Sequence, residues 1–455
     1  MGCSSRALKR EGVSSIGSAY PVGVKYVIVI PDGGADLPID SLDGKTPFEA
    51  AHMPVLAELA RAGRVGCAAT TPQRFEAGSD VCSMSLLGYD PDRYHTGRAP
   101  IEAAALGLNL DQKDWIFRLN LVTTGEPGSG DAGLMLDHSA GAISDAEART
   151  LVADLMEHWR RVVPLDVEGL SLTPGVSYRN ILVDHAGRNY KGVETTPPHE
   201  IPRLPWAKHV PRGGSESGRL SRLMSESIDL LSTHRVNMAR REKGQRPASM
   251  AWIWGQGTAP SLPSFESRFG IRGAMITSVD LLAGIAALIG WDRLHVPGLT
   301  SYHDTDYAAQ GKATCEALDR YDVVCCHVES PDELSHQGDW QSKIAALEAI
   351  DEHIMRPLVE HLRTFGDPDV DPSAPGWRLL YMPDHYTLVS TRKHDATPVP
   401  FLVAGAYVKS AVSRPFIESA ALSSDLRIEN GHDLMEYFLH GGLARVRPIG
   451  TRTTS

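Results

Sequence analysis

The sequence predicts an α/β protein in which a central, mostly parallel sheet is flanked by helices and interrupted by an inserted α+β unit. Three observations carry that prediction. The runs KYVIVI (25–30), YDVVCCHVE (321–329) and WRLLYMPDH (377–385) contain short, nearly continuous apolar stretches, as strands buried on both faces must be. Between the last two lies KIAALEAIDEHIMRPLVEHL, a long helical pattern, so these pieces make a β-α-β unit with parallel strands. From about 107 to 262 the texture shifts to loops rich in Gly and Pro, short strands and two helices.

With 455 residues the chain exceeds one ordinary hydrophobic core. The expected division is a disordered N-terminal extension at 1–23, a first core part at 24–106, an inserted substrate or lid domain at 107–262, a second core part at 263–445 and a tail at 446–455. Hydrophobic residues at 42% and charged residues at 22% exclude disorder of the whole chain. The formal net charge, 45 minus 56 or −11, argues against a broad nucleic-acid surface, which needs a cationic face. It permits an anionic small-molecule substrate, because a few local Arg, Lys and metal ions set the potential inside a cleft.

No run approaches the roughly 18 apolar residues of a membrane span. The N-terminus has Gly2 but Arg6 where a myristoylation signal wants Ser or Thr, and it lacks the apolar segment of a signal peptide. Six cysteines (Cys3, Cys67, Cys82, Cys315, Cys325, Cys326) form no CxxC pair and suggest reduced thiols in the cytoplasm.

Taken in order, KYVIVI runs directly into PDGGAD. Open α/β sheets hold their ligands at the carboxyl ends of strands, which makes Asp32 a site candidate. Residues 46–63 carry Val55, Leu56, Leu59 and Ala60 at helical spacing and end at Gly63, a suitable C-terminal cap. GRVGCAATTP predicts a second strand. In EAGSDVCSMSLLGYDP, Ser79 precedes an amphipathic run and is expected near a helix N-terminus, where backbone N–H groups favour anions. Within 107–262, AEARTLVADLMEHWRR and SGRLSRLMSESIDLLSTH carry apolar stripes that need burial, so the stretch is a domain and not a linker. IRGAMITSVDLLAGIAALIG then returns to a strand followed by a helix.

Three strand ends deliver residues of metal-ligand type: Asp32 after YVIVI, Asp332 and His336 after VVCCHVE, and Asp384 with His385 after LLYM. On a helix, the i, i+4 spacing of Asp332 and His336 puts carboxylate and imidazole on one face. His394, in STRKHDATPVPFLV, completes a mixed oxygen and nitrogen set that suits Zn, Mn or Fe better than Ca. A DxxxH pair alone is more often a surface pair, and PDH or PDG alone is most often a turn; the weight comes from their joint position at strand ends.

The ordered motifs PDGGAD, GSDVCSMSLLGYDPDRYHTGRAPIEA, RLNLVT, DHSAG, PGVSYRN, TPPHE, WIWGQG, DTDYAAQGK, HVESPDELSH, MPDHYT and HDATPVPF resemble archaeal-type cofactor-independent phosphoglycerate mutases, a branch of the alkaline phosphatase superfamily. The likeness runs from about 24 to about 440 and implies an alkaline-phosphatase-like core. It further implies that Ser79 is the nucleophile and becomes phosphorylated. One divalent metal would be held by Asp32, Ser79, Asp384 and His385, and a second by Asp332, His336 and His394; Mn, Zn or Mg would serve, with no 2,3-bisphosphoglycerate. By the same resemblance Lys312 would approach the phosphoryl group. Arg118 and Arg179 are the candidates for binding the carboxylate and phosphate of a small phosphorylated acid, because an Arg fork matches both groups.

Two departures bear on the substrate. Ala142 stands where many relatives carry Arg or His, and WIWGQG has Trp254 and Gln256 where archaeal members tend to read RGAG. At WGQG the chain is also similar to a bacterial group proposed to phosphorylate homoserine. That activity and a metal-dependent phosphatase remain as alternatives.

Overall fold

The computed structural model describes residues 23–410 and 412–440. Apart from Gly23, the extension expected at 1–23 lies outside the described residues, as do the tail at 446–455 and Cys3.

The main sheet has eight strands, in the order Arg427–Ile428, Arg64–Ala68, Val399–Gly405, Trp377–Tyr381, Lys25–Pro31, Val323–Val328, Gly273–Ile276 and Asp292–Arg293. Only Val399–Gly405 runs against its neighbours; every other pairing is parallel. Lys25–Pro31 lies between Trp377–Tyr381 and Val323–Val328, and its residues Val27 to Ile30 are fully buried. Its unbroken apolar run thus reflects burial on both faces. The parallel register brings Pro31, Val328 and Tyr381 out at the same edge, so the polar residues after each strand meet there.

A second sheet, entirely antiparallel, is built from Trp115–Thr124, Met135–Asp137, Leu170–Pro174, Arg179–Asp184 and Met250–Thr258. Helix Asp145–Val162 starts with a capping box between Ser144 and Glu147 and buries Leu151, Leu155 and Trp159. Helix Ser217–Thr233 buries Leu220, Leu223 and Leu231, and the two helices share a core separate from that of the main sheet. Helix Arg98–Ala105 leads into this unit and packs against Asp280–Leu288, with Gly284 at the closest approach; a Cβ there would overlap the Ile101 carbonyl. No described helix is long and apolar enough to cross a membrane.

Two helical expectations need correction. The single helix expected over 46–63 is two, Pro47–Ala50 and Pro54–Ala62, because Pro54 cannot donate a backbone bond and drives Met53 out of the helical region. The long helix after Asp339 contains a π-helical segment, Ile350–Met355, between Trp340–Ala349 and Arg356–Arg363. Pro357 lacks the N–H that a regular helix would use there, and the side chain of Asp351 is occupied in accepting the N–H groups of Val55 and Leu56. The five described cysteines are free thiols, and Cys325 and Cys326 are buried within a strand.

Candidate metal centre

At the shared strand edge, side chains from four regions converge. Asp32 follows Lys25–Pro31 directly. Asp332 and His336 lie on helix Ser330–Gln337, one turn apart, just after Val323–Val328. Asp384 and His385 occupy the turn between Trp377–Tyr381 and Tyr386–Leu388, and His394 sits on the hairpin partner Lys393–Asp395. Ser79 opens helix Ser79–Leu86, whose N-cap is Gly78. Its place at the helix start leaves it beside backbone N–H groups with no intrahelical acceptor.

The distances separate two lobes. In one, His336 Nε2 lies 3.2 Å from Asp332 Oδ2 and 2.9 Å from His394 Nε2, and His394 Nε2 lies 3.5 Å from Asp332 Oδ1. In the other, His385 Nε2 lies 3.2 Å from Ser79 Oγ, 3.4 Å from Asp384 Oδ2 and 3.5 Å from Asp32 Oδ1. The Asp384 carboxylate is held by the N–H groups of Gly33 and His385 and by the Ser83 hydroxyl.

The donor chemistry fits a cation. Nδ1 of His336 bonds the Arg392 carbonyl and Nδ1 of His394 bonds the Ala77 carbonyl, each at 3.0 Å. A carbonyl only accepts, so both Nδ1 atoms carry hydrogen and neutral rings would present two Nε2 lone pairs to each other. Asp32 Oδ1, fully buried, has no hydrogen-bond partner among the described residues. Ligand atoms of Asp332, His336 and His394 lie within 4.8 Å of one another, and so do those of Asp32, Asp332 and His385.

Without a cation the charges are poorly balanced. Burial, reinforced by Asp384 and Asp332, pushes the Asp32 carboxyl well above the usual carboxylate range. Burial and the neighbouring Asp32 do the same to Glu329. Burial acts on Asp332 in the same sense, but hydrogen bonds from His336 and His394 outweigh it and hold the group well below that range. His336, bonded to Asp332, is raised to about 9. Burial lowers His385.

Beside Ser79 opens a cavity of about 550 Å³, lined by Arg98, Arg118, Arg179, Tyr302 and Glu329 among others. Arg118 and Arg179 come from the second sheet, while Ser79 opens helix Ser79–Leu86 and Glu329 directly follows Val323–Val328 of the first. Arg118 is buried, with Nε 3.0 Å from Glu102 Oε2 and its guanidinium 4.1 Å over the Trp254 ring. Of the substituted positions, Trp254 therefore supports an arginine of the cavity. Gln256 is taken up by the Thr195 hydroxyl and the Val193 carbonyl, and Ala142 lies in a turn with φ of 49°.

Lys312, which the resemblance places near the phosphoryl group, does not join the cluster in this structure. Its side chain is 78% exposed, with Nζ 3.8 Å from Glu316, and it borders a separate depression with His353 and His361. The reason is helical phase. Gln310, Gly311 and Thr314 form the buried face of Tyr307–Leu318, and a residue two positions beyond Gln310 points outward.

Sequence reasoning passed over His327, Glu329 and Thr387. His327 Nε2 lies 2.7 Å from Asp32 Oδ2 and its Nδ1 is 3.0 Å from Thr277 Oγ1, so it braces Asp32 from the neighbouring strand. The polar pair His327 and Glu329 at the end of VVCCHVE was the available signal, and for Thr387 it was its place at the end of MPDHYT.

A family model described as 2,3-bisphosphoglycerate-independent phosphoglycerate mutase matches residues 60–237. The 2,3-bisphosphoglycerate-independent phosphoglycerate mutase 2 of Methanothermobacter thermautotrophicus is 41% identical over 418 residues, covering 92% of this chain and 98% of that protein. The corresponding mutase of Methanothrix thermoacetophila is 40% identical over 418 residues, covering 92% of this chain and 100% of that protein. Among solved structures, a Pyrococcus horikoshii protein superposes with a TM-score of 0.73 at 26% identity, covering 92% of this chain and 98% of that one. The cofactor-independent phosphoglycerate mutase of Thermoplasma acidophilum shares the fold, with a TM-score of 0.61 at 24% identity over 92% of this chain and 100% of its own.

Proposed function

The chain belongs to the 2,3-bisphosphoglycerate-independent phosphoglycerate mutase family, and from that premise we propose that it interconverts 3-phosphoglycerate and 2-phosphoglycerate in the cytoplasm through a phosphoserine at Ser79. The observation that carries this reading is the position of Ser79, with Oγ 3.2 Å from His385 Nε2, on the lining of a cavity bearing three arginines. Asp32, Ser79, Asp384 and His385 would hold one divalent cation, and Asp332, His336 and His394 a second. Bound there, the cations would stabilise the Ser79 alkoxide and offset charge on the phosphoryl oxygens.

The remaining steps belong to the protein. Ser79 takes the phosphoryl group from one glycerate hydroxyl and returns it to the other, while Arg118 and Arg179 hold the carboxylate so that the acceptor does not leave. Water must be kept out, because hydrolysis of the phosphoserine would make the enzyme a phosphatase. The inserted unit, residues 107–262, serves as the lid: it contributes Arg118 and Arg179 to the cavity that Ser79 also lines.

A second reading has one observation in its favour. The cavity also carries Glu102, Asp280 and Glu333, carboxylates that suit the ammonium group of an amino acid acceptor such as homoserine. The deciding experiment supplies the manganese-loaded protein with 3-phosphoglycerate, and separately with homoserine plus a phosphate donor, following both by phosphorus NMR. Formation of 2-phosphoglycerate without free phosphate is expected. Phosphohomoserine alone, or free phosphate without isomerisation, would replace this proposal by the corresponding alternative.

A further inference from the structure

We infer that the hydroxyl of Thr387 is a positioning group that couples the two lobes of the metal centre, fixing His385 in one tautomer and Asp332 in one orientation at the same time. The inference rests on the metal reading above and concerns how its ligands are held.

Thr387 lies on Tyr386–Leu388 and is fully buried. Its Oγ1 lies 2.6 Å from Asp332 Oδ1 and 3.1 Å from His385 Nδ1. An ionised carboxylate only accepts, so the hydroxyl proton goes to Asp332. Oγ1 must then accept from His385, whose Nδ1 therefore carries hydrogen. That assignment leaves the Nε2 lone pair aimed at Ser79 Oγ, Asp32 and Asp384, where a cation would take it up. One hydroxyl thus reaches a ligand in each lobe: His385 beside Ser79, and Asp332 beside His336 and His394.

Thr387 is itself tightly held. Its N–H donates to the Ala35 carbonyl at 3.2 Å, and its carbonyl accepts from Lys343 Nζ at 2.9 Å. Lys343 is fully buried and also bonds Asp36 at 3.0 Å, which ties the Thr387 strand to the loop that follows Asp32. Gly33, with φ of +59°, leaves the room this arrangement needs; a Cβ there would overlap both Thr387 Oγ1 and Asp332 Oδ1. Partners of this kind orient metal-bound imidazoles and carboxylates, and their loss lowers metal affinity by about 10–100-fold.

The test titrates chelator-treated protein with Mn²⁺ by calorimetry, with metal content measured independently, for the wild type, Thr387→Val and Thr387→Ser. Thr387→Val removes the hydroxyl at nearly constant volume and is expected to weaken both cations by about 10–100-fold; Thr387→Ser, which keeps the hydroxyl, is expected to restore binding. Should Thr387→Val fail to fold, proton–nitrogen NMR of the metal-free wild type reads the His385 tautomer directly, and hydrogen on Nδ1 is expected. Wild-type affinity in Thr387→Val, a Thr387→Ser variant as weak as Thr387→Val, or hydrogen on Nε2 of His385 would each overturn the inference. A wild type that bound no divalent cation would remove the metal reading and this inference together, whereas a two-cation wild type with an undiminished Thr387→Val would remove the inference alone.

Discussion

His336 and His394 meet Nε2 to Nε2 at 2.9 Å, with both Nδ1 atoms already committed to backbone carbonyls. Two lone pairs at that separation need a positive charge between them. In metal-loaded protein a cation supplies it; in metal-free protein a proton must, and that competition makes the centre sensitive to pH.

His336 shows the sign. Its value in the metal-free fold is raised from the ordinary 6.5 to about 9, chiefly by the hydrogen bond to Asp332. A raised histidine stabilises the fold fully below its unfolded value and loses that contribution as pH rises through the folded one. Melting of the metal-free protein should therefore shift to lower temperature between pH 6.5 and about 9. Mn²⁺ affinity should rise over the same window, by up to about tenfold per pH unit for each proton displaced. Melts and titrations at pH 6.5, 7.5 and 8.5 check both; an Mn²⁺ affinity flat across them would remove the competing proton.

Ser79→Ala should abolish turnover, by at least about 10⁴-fold, as loss of a nucleophile does elsewhere. The fold should survive, because Gly78 and not Ser79 caps the helix. Most of the ligand field also remains. Phosphorus NMR of turnover and metal analysis of the same sample check this, and retained activity would take Ser79 out of the mechanism.

Arg118→Lys keeps the charge but loses the planar stack on Trp254 and the fixed fork. The expected result is a KM for phosphoglycerate raised about tenfold, the loss of one charge-assisted hydrogen bond, with a smaller change in kcat. An unchanged KM would place the substrate carboxylate elsewhere.

Lys343→Met leaves Asp36 buried without its cation. Removing one partner of a buried ion pair costs about 3–5 kcal/mol, which urea unfolding would register. A loss below about 1 kcal/mol, the scale of an exposed pair, would mean that water reaches Asp36 in the variant.

Lys312→Ala should leave activity within about twofold of wild type, since an exposed ion pair contributes about 0–1 kcal/mol and the side chain borders a depression separate from the cavity that Ser79 lines. A loss of a hundredfold would show that the lysine reaches the phosphoryl group in another conformation of the protein.

Much of the centre could be read from the sequence because open sheets place ligands after their strands. Asp32, Asp332 and Asp384 each follow a buried apolar run, and the four-residue step to His336 needs only one helical turn. Lys312 stands apart from these residues because a lysine two residues along a helix from a buried glutamine faces the opposite way, and a motif read by resemblance carries no helical phase. The roles of Thr387, the last residue of MPDHYT, and of Lys343 were not legible in the sequence. Their importance lies in what they bond, and their partners Asp332 and Asp36 are 55 and 307 positions away.

The sequence by itself determined the three central strands of the main sheet, their parallel arrangement, the carboxylates and imidazoles near their ends, and helices in 107–262 that need a core, because periodicity and burial are local properties of a chain. Tertiary structure alone decided which ring nitrogen faces inward, which arginines share a cavity with Ser79, and which threonine spans the two lobes. Those features depend on register between strands far apart in sequence: Ile30 pairs with His327 and Val29 with Tyr381 only once the sheet has assembled. Hydrogen bonds act over about 3 Å, so the tautomers and contacts that set the chemistry exist only in the folded protein.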